Sequence, residues 1–87
     1  MRSNLAFAYI PREPRFECDF DVVIVDAVGR ERIGRVANIS EGGFMAECEE
    51  TPRPGEIVRV NLPGRGQVEA EVRWTMVGRF GAMVLAD

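Results

Sequence analysis

A short polar segment, Asn38-Ile39-Ser40-Glu41-Gly42-Gly43, contains residue types that can build a binding turn. Asn and Ser side chains hydrogen-bond backbone groups in tight corners, and the two glycines permit positive φ angles. These residues are compatible with a purely structural connection. A second interpretation, less favoured by these residues alone, is a concave edge of amide and hydroxyl donors whose backbone a ligand approaches closely at the glycines. Both interpretations stay open at this point.

An arginine-bearing arm lies further towards the N-terminus. Residues 1–16 hold three arginines against one acid, so they carry a net charge of +2 and leave −5 on the remainder of the chain. Arg12 and Arg15 are flanked by Pro11 and Pro14, which restrict the backbone. Guanidinium groups on such a stiffened segment suit a planar anion or the edge of a base. The alternative is a solvated arm whose arginines pair with neighbouring carboxylates.

The composition excludes several classes of protein. The 87 residues include no His and no Lys, and 11 Arg against 14 acids give a net charge of −3. Without His, a Ser-His dyad and imidazole metal ligation are both excluded. Cys18 and Cys48 form no C-x-x-C pair and cannot complete a zinc site alone. We therefore expect no catalytic residues, no metal and no cofactor.

No apolar run in the sequence has the length of a membrane span or of a signal-peptide core. A span needs about 18 consecutive apolar residues, and Leu5 to Ile10 is too short and lacks a small-residue cleavage site. The sequence therefore predicts a cytoplasmic protein without membrane contact.

Apolar runs of strand length alternate with Gly and Pro clusters from Asp19 onward, a spacing typical of small all-β folds. In the clearest run, residues 68–76, apolar and polar side chains alternate, which places Trp74 and Met76 on the core face. Gly29 is expected at positive φ in the first hairpin turn, and Gly64-Arg65-Gly66 is interpreted as a turn. Strands are predicted over residues 20–28, 32–39, 44–48, 56–62, 68–76 and 80–85.

Six short antiparallel strands can bury a common face by closing into a barrel, which also removes exposed strand edges. We predict a small six-stranded antiparallel β-barrel over residues 19–87, preceded by an irregular N-terminal arm over residues 1–18 and followed by no long C-terminal helix. A domain of this size buries too little surface for a deep cleft. Function is therefore expected on a surface or a loop.

Together, the arm and the turn resemble the PilZ domain, a bacterial family that binds the second messenger cyclic di-GMP. The family signature is R-x-x-x-R on an N-terminal arm, followed by [D/N]-x-S-x-x-G between barrel strands. Asn38, Ser40 and Gly43 fill the second motif. The similarity extends from about Pro11 to the C-terminus and includes the late patterns Val72-Arg73-Trp74 and Gly78-Arg79-Phe80-Gly81.

The first motif departs from the family pattern. Aligning Arg15 with its last arginine puts Pro11 at the first position, while Arg12 occupies an interior position where many members also have arginine. The resemblance implies that the ligand-binding residues are Arg12, Arg15, Asn38, Ser40 and Gly43.

Three functions follow as hypotheses. The resemblance implies a non-catalytic receptor or adaptor that binds cyclic di-GMP, orders its N-terminal arm and contacts a partner protein. Because Pro11 replaces a motif arginine, the alternative is a degenerate PilZ-like protein-interaction module that does not bind the dinucleotide. A barrel that binds single-stranded nucleic acid is the third, but the net charge of −3 and the outward Glu69 and Glu71 argue against it. We expect neither a nucleic-acid polymer nor a membrane as partner.

Overall fold

The computed structural model describes residues 15–85, and these form six antiparallel strands that close into a barrel. The predicted all-β barrel is confirmed. Around the barrel the strand order is β1-β2-β3-β6-β5-β4. Within residues 15–85 there is no helix with the length and apolar character needed to cross a membrane. The strands are β1 Phe16–Val25, β2 Glu31–Ile39, β3 Gly43–Cys48, β4 Ile57–Leu62, β5 Gly66–Met76 and β6 Arg79–Val84.

Five of the strands begin and end within two residues of their predicted limits, whereas β1 starts four residues earlier and ends three earlier. Pairing with β2 extends β1 backwards, because Phe16 lies opposite Ile39 and an irregularity between Glu17 and Phe20 lets the strand continue. The strand ends before Asp26, which closes the turn into β2. Gly29 has a φ of 89° in that turn, as predicted.

The core consists of the inward side chains of all six strands, and it follows the alternation expected of half-buried strands. The largest side chains that are almost completely buried are those of Phe80, Ile24, Leu62, Val36, Val58, Val60 and Val72. Phe80 meets Phe44 edge to face, with ring centroids 6.2 Å apart. This packing fills the interior of the barrel, so a ligand is contacted on its outer face or at its two ends.

The prediction that Trp74 and Met76 belong to the core is wrong. The register of β5 on β6 shifts between Val72 and Trp74, so one extra residue interrupts the alternation. A bulge of this kind turns the following side chains to the other face. Trp74 is half-buried on the outer face of the barrel, and Met76 is exposed.

A buried carboxylate, Asp26, organises the turn between β1 and β2. It is only 5% exposed, and its Oδ1 accepts hydrogen bonds from the backbone N–H groups of Val28 at 3.1 Å and Arg30 at 2.8 Å. Its Oδ2 pairs with Arg32 Nη2 at 3.2 Å, and Arg32 also donates to the carbonyl oxygen of Glu50 at 2.7 Å. These bonds join the first hairpin turn to the segment that follows β3.

The Asp26→Asn variant is expected to unfold at a lower urea concentration at pH 7. The hydrogen bond from the backbone N–H of Arg30 is the main cause that lowers the pKa of Asp26 below its ordinary value of 3.8. A lowered folded-state pKa stabilises the fold above the unfolded pKa, and that contribution is lost as the pH falls through the folded pKa. The variant should therefore also lose part of the dependence of stability on pH in the acid range.

Urea unfolding at several pH values measures both effects. Asp21→Asn serves as the control because Asp21 is an exposed aspartate on β1, the strand that precedes this turn. If Asp26→Asn unfolded at the wild-type urea concentration with the wild-type acid dependence, the proposed role of Asp26 would be wrong.

Candidate functional site

Four chain segments meet at one end of the barrel, which we call the Ser40 rim. They are the start of β1, the turn between β2 and β3, the turn between β4 and β5, and the end of β6. The turns before β2 and β6 lie at the opposite end, the Gly29 rim. Arg15, the last residue of the first motif, and Asn38, the first residue of the second, both lie at the Ser40 rim, because β1 starts there and β2 ends there.

Arg15 and Asn38 are brought together at this rim, although they are 23 positions apart in the sequence. Arg15 Nη1 donates to Asn38 Oδ1 at 3.4 Å on the exposed surface. Asn38 lies opposite Glu17 of β1 and Met45 of β3, after a register shift that follows Val36. Because that shift reverses the alternation, Asn38 faces outwards, where the arginine can reach it.

The turn that follows Asn38 is closed by its own backbone. The N–H of Ser40 donates to the carbonyl oxygen of Gly43 at 2.8 Å, and the Ser40 hydroxyl lies 3.4 Å from the same oxygen. The N–H of Val84 at the end of β6 donates to the carbonyl oxygen of Gly42 at 2.8 Å. The turn is therefore fixed both internally and to the last strand.

Position 43 requires glycine for a different reason from the one predicted. Glycine was expected at positions 42 and 43 because it permits positive φ, but neither is among the glycines with positive φ in residues 15–85. A Cβ built on Gly43 would instead overlap the backbone carbonyl oxygen of Ala82 on β6. The close approach of β3 and β6 is what requires a glycine here.

Arg65 also reaches the turn, a contact that no local sequence pattern indicates. It lies between Gly64 and Gly66, which both have positive φ and confirm the predicted turn between β4 and β5. Its Nη2 donates to the carbonyl oxygen of Ser40 at 2.6 Å and its Nη1 to that of Glu41 at 2.8 Å. Glu41 and Ser40 precede Arg65 by 24 and 25 positions in the sequence. Only closure of the barrel brings them into contact with Arg65.

A row of cross-strand neighbours extends the rim over the outer face of the barrel. Asn38 lies opposite Met45, Met45 opposite Gly81, and Gly81 opposite Trp74. The Trp74 indole covers Gly81 so closely that a Cβ at that position would overlap it. An aromatic ring and a thioether therefore lie on the same face as the Arg15–Asn38 pair. The periodicity of β5 alone could not reveal this, because the bulge reverses it.

The two thiols differ in burial, and neither is placed as a nucleophile. Cys48 is buried and its Sγ lies 3.2 Å from the carbonyl oxygen of Glu50. Cys18 is half-buried, and burial followed by the negative charge of Asp19 raises its pKa. A raised pKa lowers the fraction of reactive thiolate at neutral pH.

The structure describes four of the five site residues predicted from the sequence. Arg15 and Asn38 are in direct contact, and Ser40 and Gly43 close the turn that follows. Arg12 and the neighbouring Pro11 lie outside the described residues. The part of the predicted site within residues 15–85 is thus gathered at a single rim.

The described residues form a closed six-stranded barrel with an arginine directly before its first strand and an N-x-S-x-x-G turn between β2 and β3. The family model of the PilZ domain matches residues 10–84. The chain therefore belongs to the PilZ domain family, and the family resemblance seen in the motifs is confirmed. A search of the curated proteins finds no match to the chain.

Proposed function

We propose that this PilZ domain is a receptor and adaptor for cyclic di-GMP, with no catalytic activity of its own. The ligand binds at the Ser40 rim through Arg12, Arg15, Asn38, Ser40 and Gly43. Binding orders the part of the N-terminal arm (residues 1–18) that precedes β1 over the ligand, and the ordered arm forms a surface that a partner protein contacts. A ligand alters contact with the partner protein only if it binds one state of the arm more tightly than the other. An arm closed over the ligand contacts it, and an open arm does not, so the closed state binds more tightly.

The observation that carries the proposal is the contact of Arg15 with Asn38. It joins the last arginine of the first motif to the first residue of the second motif, at 3.4 Å and on the exposed surface. Nothing in the hydrophobic core requires this pairing, because both side chains project away from the barrel interior. The pair therefore lies at the surface, where a ligand can reach both side chains.

The chemistry of the dinucleotide fits these groups. Cyclic di-GMP carries two phosphate anions and two guanines, and arginine recognises both. It donates two parallel hydrogen bonds to phosphate oxygens or to guanine O6 and N7, and its planar group stacks on a base. Arg15 supplies the cation, while Asn38 orients it and offers an amide of its own. The outer row that ends at Trp74 lies next to this pair.

Isothermal titration calorimetry with cyclic di-GMP tests the proposal. We expect saturable heat with protein and ligand at tens of micromolar. Cyclic di-AMP is the matched control, because it keeps the phosphates but lacks the guanine O6 acceptor, and we expect it to bind more weakly. Absence of heat with cyclic di-GMP would overturn the proposal, and equal affinity for both dinucleotides would overturn the role assigned to the guanine edge.

Pro11 at the first position of R-x-x-x-R favours one alternative, a PilZ-like interaction module that does not bind the dinucleotide. The Pro11→Arg variant separates the two functions. If the native chain is a receptor, the added arginine should tighten binding by about 5- to 150-fold, the value of one bidentate guanine contact. The dissociation constants of the two proteins, measured by calorimetry, provide the answer.

Pro14→Arg is the control for this experiment, because it adds the same charge and removes a proline at a variable position of the motif instead of at an arginine position. We expect it to change affinity less than Pro11→Arg does. Tight binding by Pro11→Arg together with none by the native chain would establish the interaction module instead. Equal affinities for the native chain and Pro11→Arg would contradict the alignment of the first motif.

A further inference from the structure

We propose that Arg65 is a positioning residue of the Ser40 rim, which holds the turn between β2 and β3 in the conformation that receives the ligand. This inference rests on the proposed function, since it assigns to Arg65 an effect on cyclic di-GMP affinity. Arg65 belongs to neither motif of the family signature.

The backbone of Arg65 is held in place by a hydrogen bond within its turn. Its backbone N–H donates to the carbonyl oxygen of Leu62 at 3.0 Å, and Leu62 is 1% exposed. The turn between β4 and β5 is thereby tied to the core. In the closed strand order this turn lies across the barrel from the turn between β2 and β3. The Arg65 side chain consequently crosses the mouth of the barrel to reach its partners.

The contact is a two-point clamp. The two amino groups of one guanidinium each bond a different carbonyl, those of Ser40 at 2.6 Å and Glu41 at 2.8 Å. Hydrogen bonds from a charged donor are shorter and stronger than neutral ones, and the planar guanidinium fixes the direction of both. Two consecutive peptide groups are thus held in one orientation.

This orientation determines what the turn presents to a ligand. Each peptide group is planar and trans, so its N–H points opposite to its carbonyl. With the carbonyls of Ser40 and Glu41 directed at Arg65, the N–H groups of Glu41 and Gly42 are directed away from it. Arg65 therefore sets the polarity of the turn, while Arg15 supplies a cation on the outer face.

Three variants test the proposal in the full chain. Arg65→Ala removes the clamp, and Arg65→Lys keeps the charge without the planar guanidinium. Arg53→Ala is the control, because it makes the same change of net charge as Arg65→Ala at an exposed arginine between β3 and β4. Thermal unfolding first establishes that each variant is folded.

The first readout is amide hydrogen exchange of the ligand-free protein by NMR. We expect the N–H groups of Ser40 and Val84, which close the turn, to exchange at least about tenfold faster in Arg65→Ala, from the loss of two charge-assisted hydrogen bonds. Arg53→Ala should leave both rates unchanged. Exchange at the wild-type rate in Arg65→Ala would overturn the clamp.

The second readout is affinity for cyclic di-GMP by calorimetry. We expect about tenfold weaker binding by both Arg65→Ala and Arg65→Lys, and wild-type binding by Arg53→Ala. Wild-type affinity for Arg65→Lys would mean that charge alone matters and would overturn the positioning role. If the wild-type chain does not bind, the proposed function fails, and the exchange rates of the free protein still decide whether Arg65 fixes the turn.

Discussion

Replacing Arg15 by alanine is expected to weaken cyclic di-GMP binding by about 5- to 150-fold, the range for loss of one bidentate contact to a guanine. Arg15 is the motif arginine that the structure places on Asn38, at 3.4 Å. Its removal takes away both the cation and the partner that orients the Asn38 amide. The side chain is exposed, so the folded state should keep its wild-type thermal stability. Calorimetry of the variant measures the loss.

The matched control is Arg59→Ala, which removes an exposed arginine from the middle of β4 and makes the same change of net charge. If attraction by overall charge governed binding, both variants would lose affinity equally, because long-range steering depends on total charge. A loss confined to Arg15→Ala supports a direct contact. Unchanged affinity in Arg15→Ala would remove Arg15 from the site.

Gly43→Ala is expected to destabilise the fold by about 1 to 3 kcal/mol, the usual cost of forcing extra volume into a packed position. The added Cβ would overlap the carbonyl oxygen of Ala82, a backbone atom that moves only if β3 and β6 shift apart. Gly43 pairs with Met83 in that ladder. The same shift displaces the turn, so affinity for cyclic di-GMP should fall together with stability.

Urea unfolding of Gly43→Ala measures this cost. Glu41→Ala is the comparison within the same turn, because the Glu41 side chain is exposed, and substitutions at such surface positions are usually within about 0.5 kcal/mol of the wild type. Wild-type stability of Gly43→Ala would show that β3 and β6 separate at no cost. Close packing against Ala82 would then not be the reason for glycine at this position.

Much of the fold could be predicted from local sequence, because strands and turns leave local signals. Alternating apolar residues marked the strands, and Gly29 marked a turn with positive φ. The family was identified from two short motifs because their residues, order and spacing are specific when combined with an all-β frame.

Other features depend on contacts that local sequence does not encode. One inserted residue after Val72 turned Trp74 from the core to the outer face, and no local pattern marks such a bulge. Gly43 owes its identity to Ala82, 39 positions along the chain. Arg65 reaches the Ser40 carbonyl only because the barrel closes. In each case the position of the side chain, or the residue type required, depends on contact with a strand or turn that is distant in the sequence.

The central claim, that cyclic di-GMP binds at the Ser40 rim, is tested most directly by NMR titration of the isotopically labelled protein. We expect progressive shifts of the amide signals of Asn38, Ser40 and Gly43 as the dinucleotide is added. The signals of Gly29 and Gly78, at the opposite rim, should stay in place. Shifts confined to the opposite rim, or no shifts at all at saturating dinucleotide, would contradict binding at the Ser40 rim.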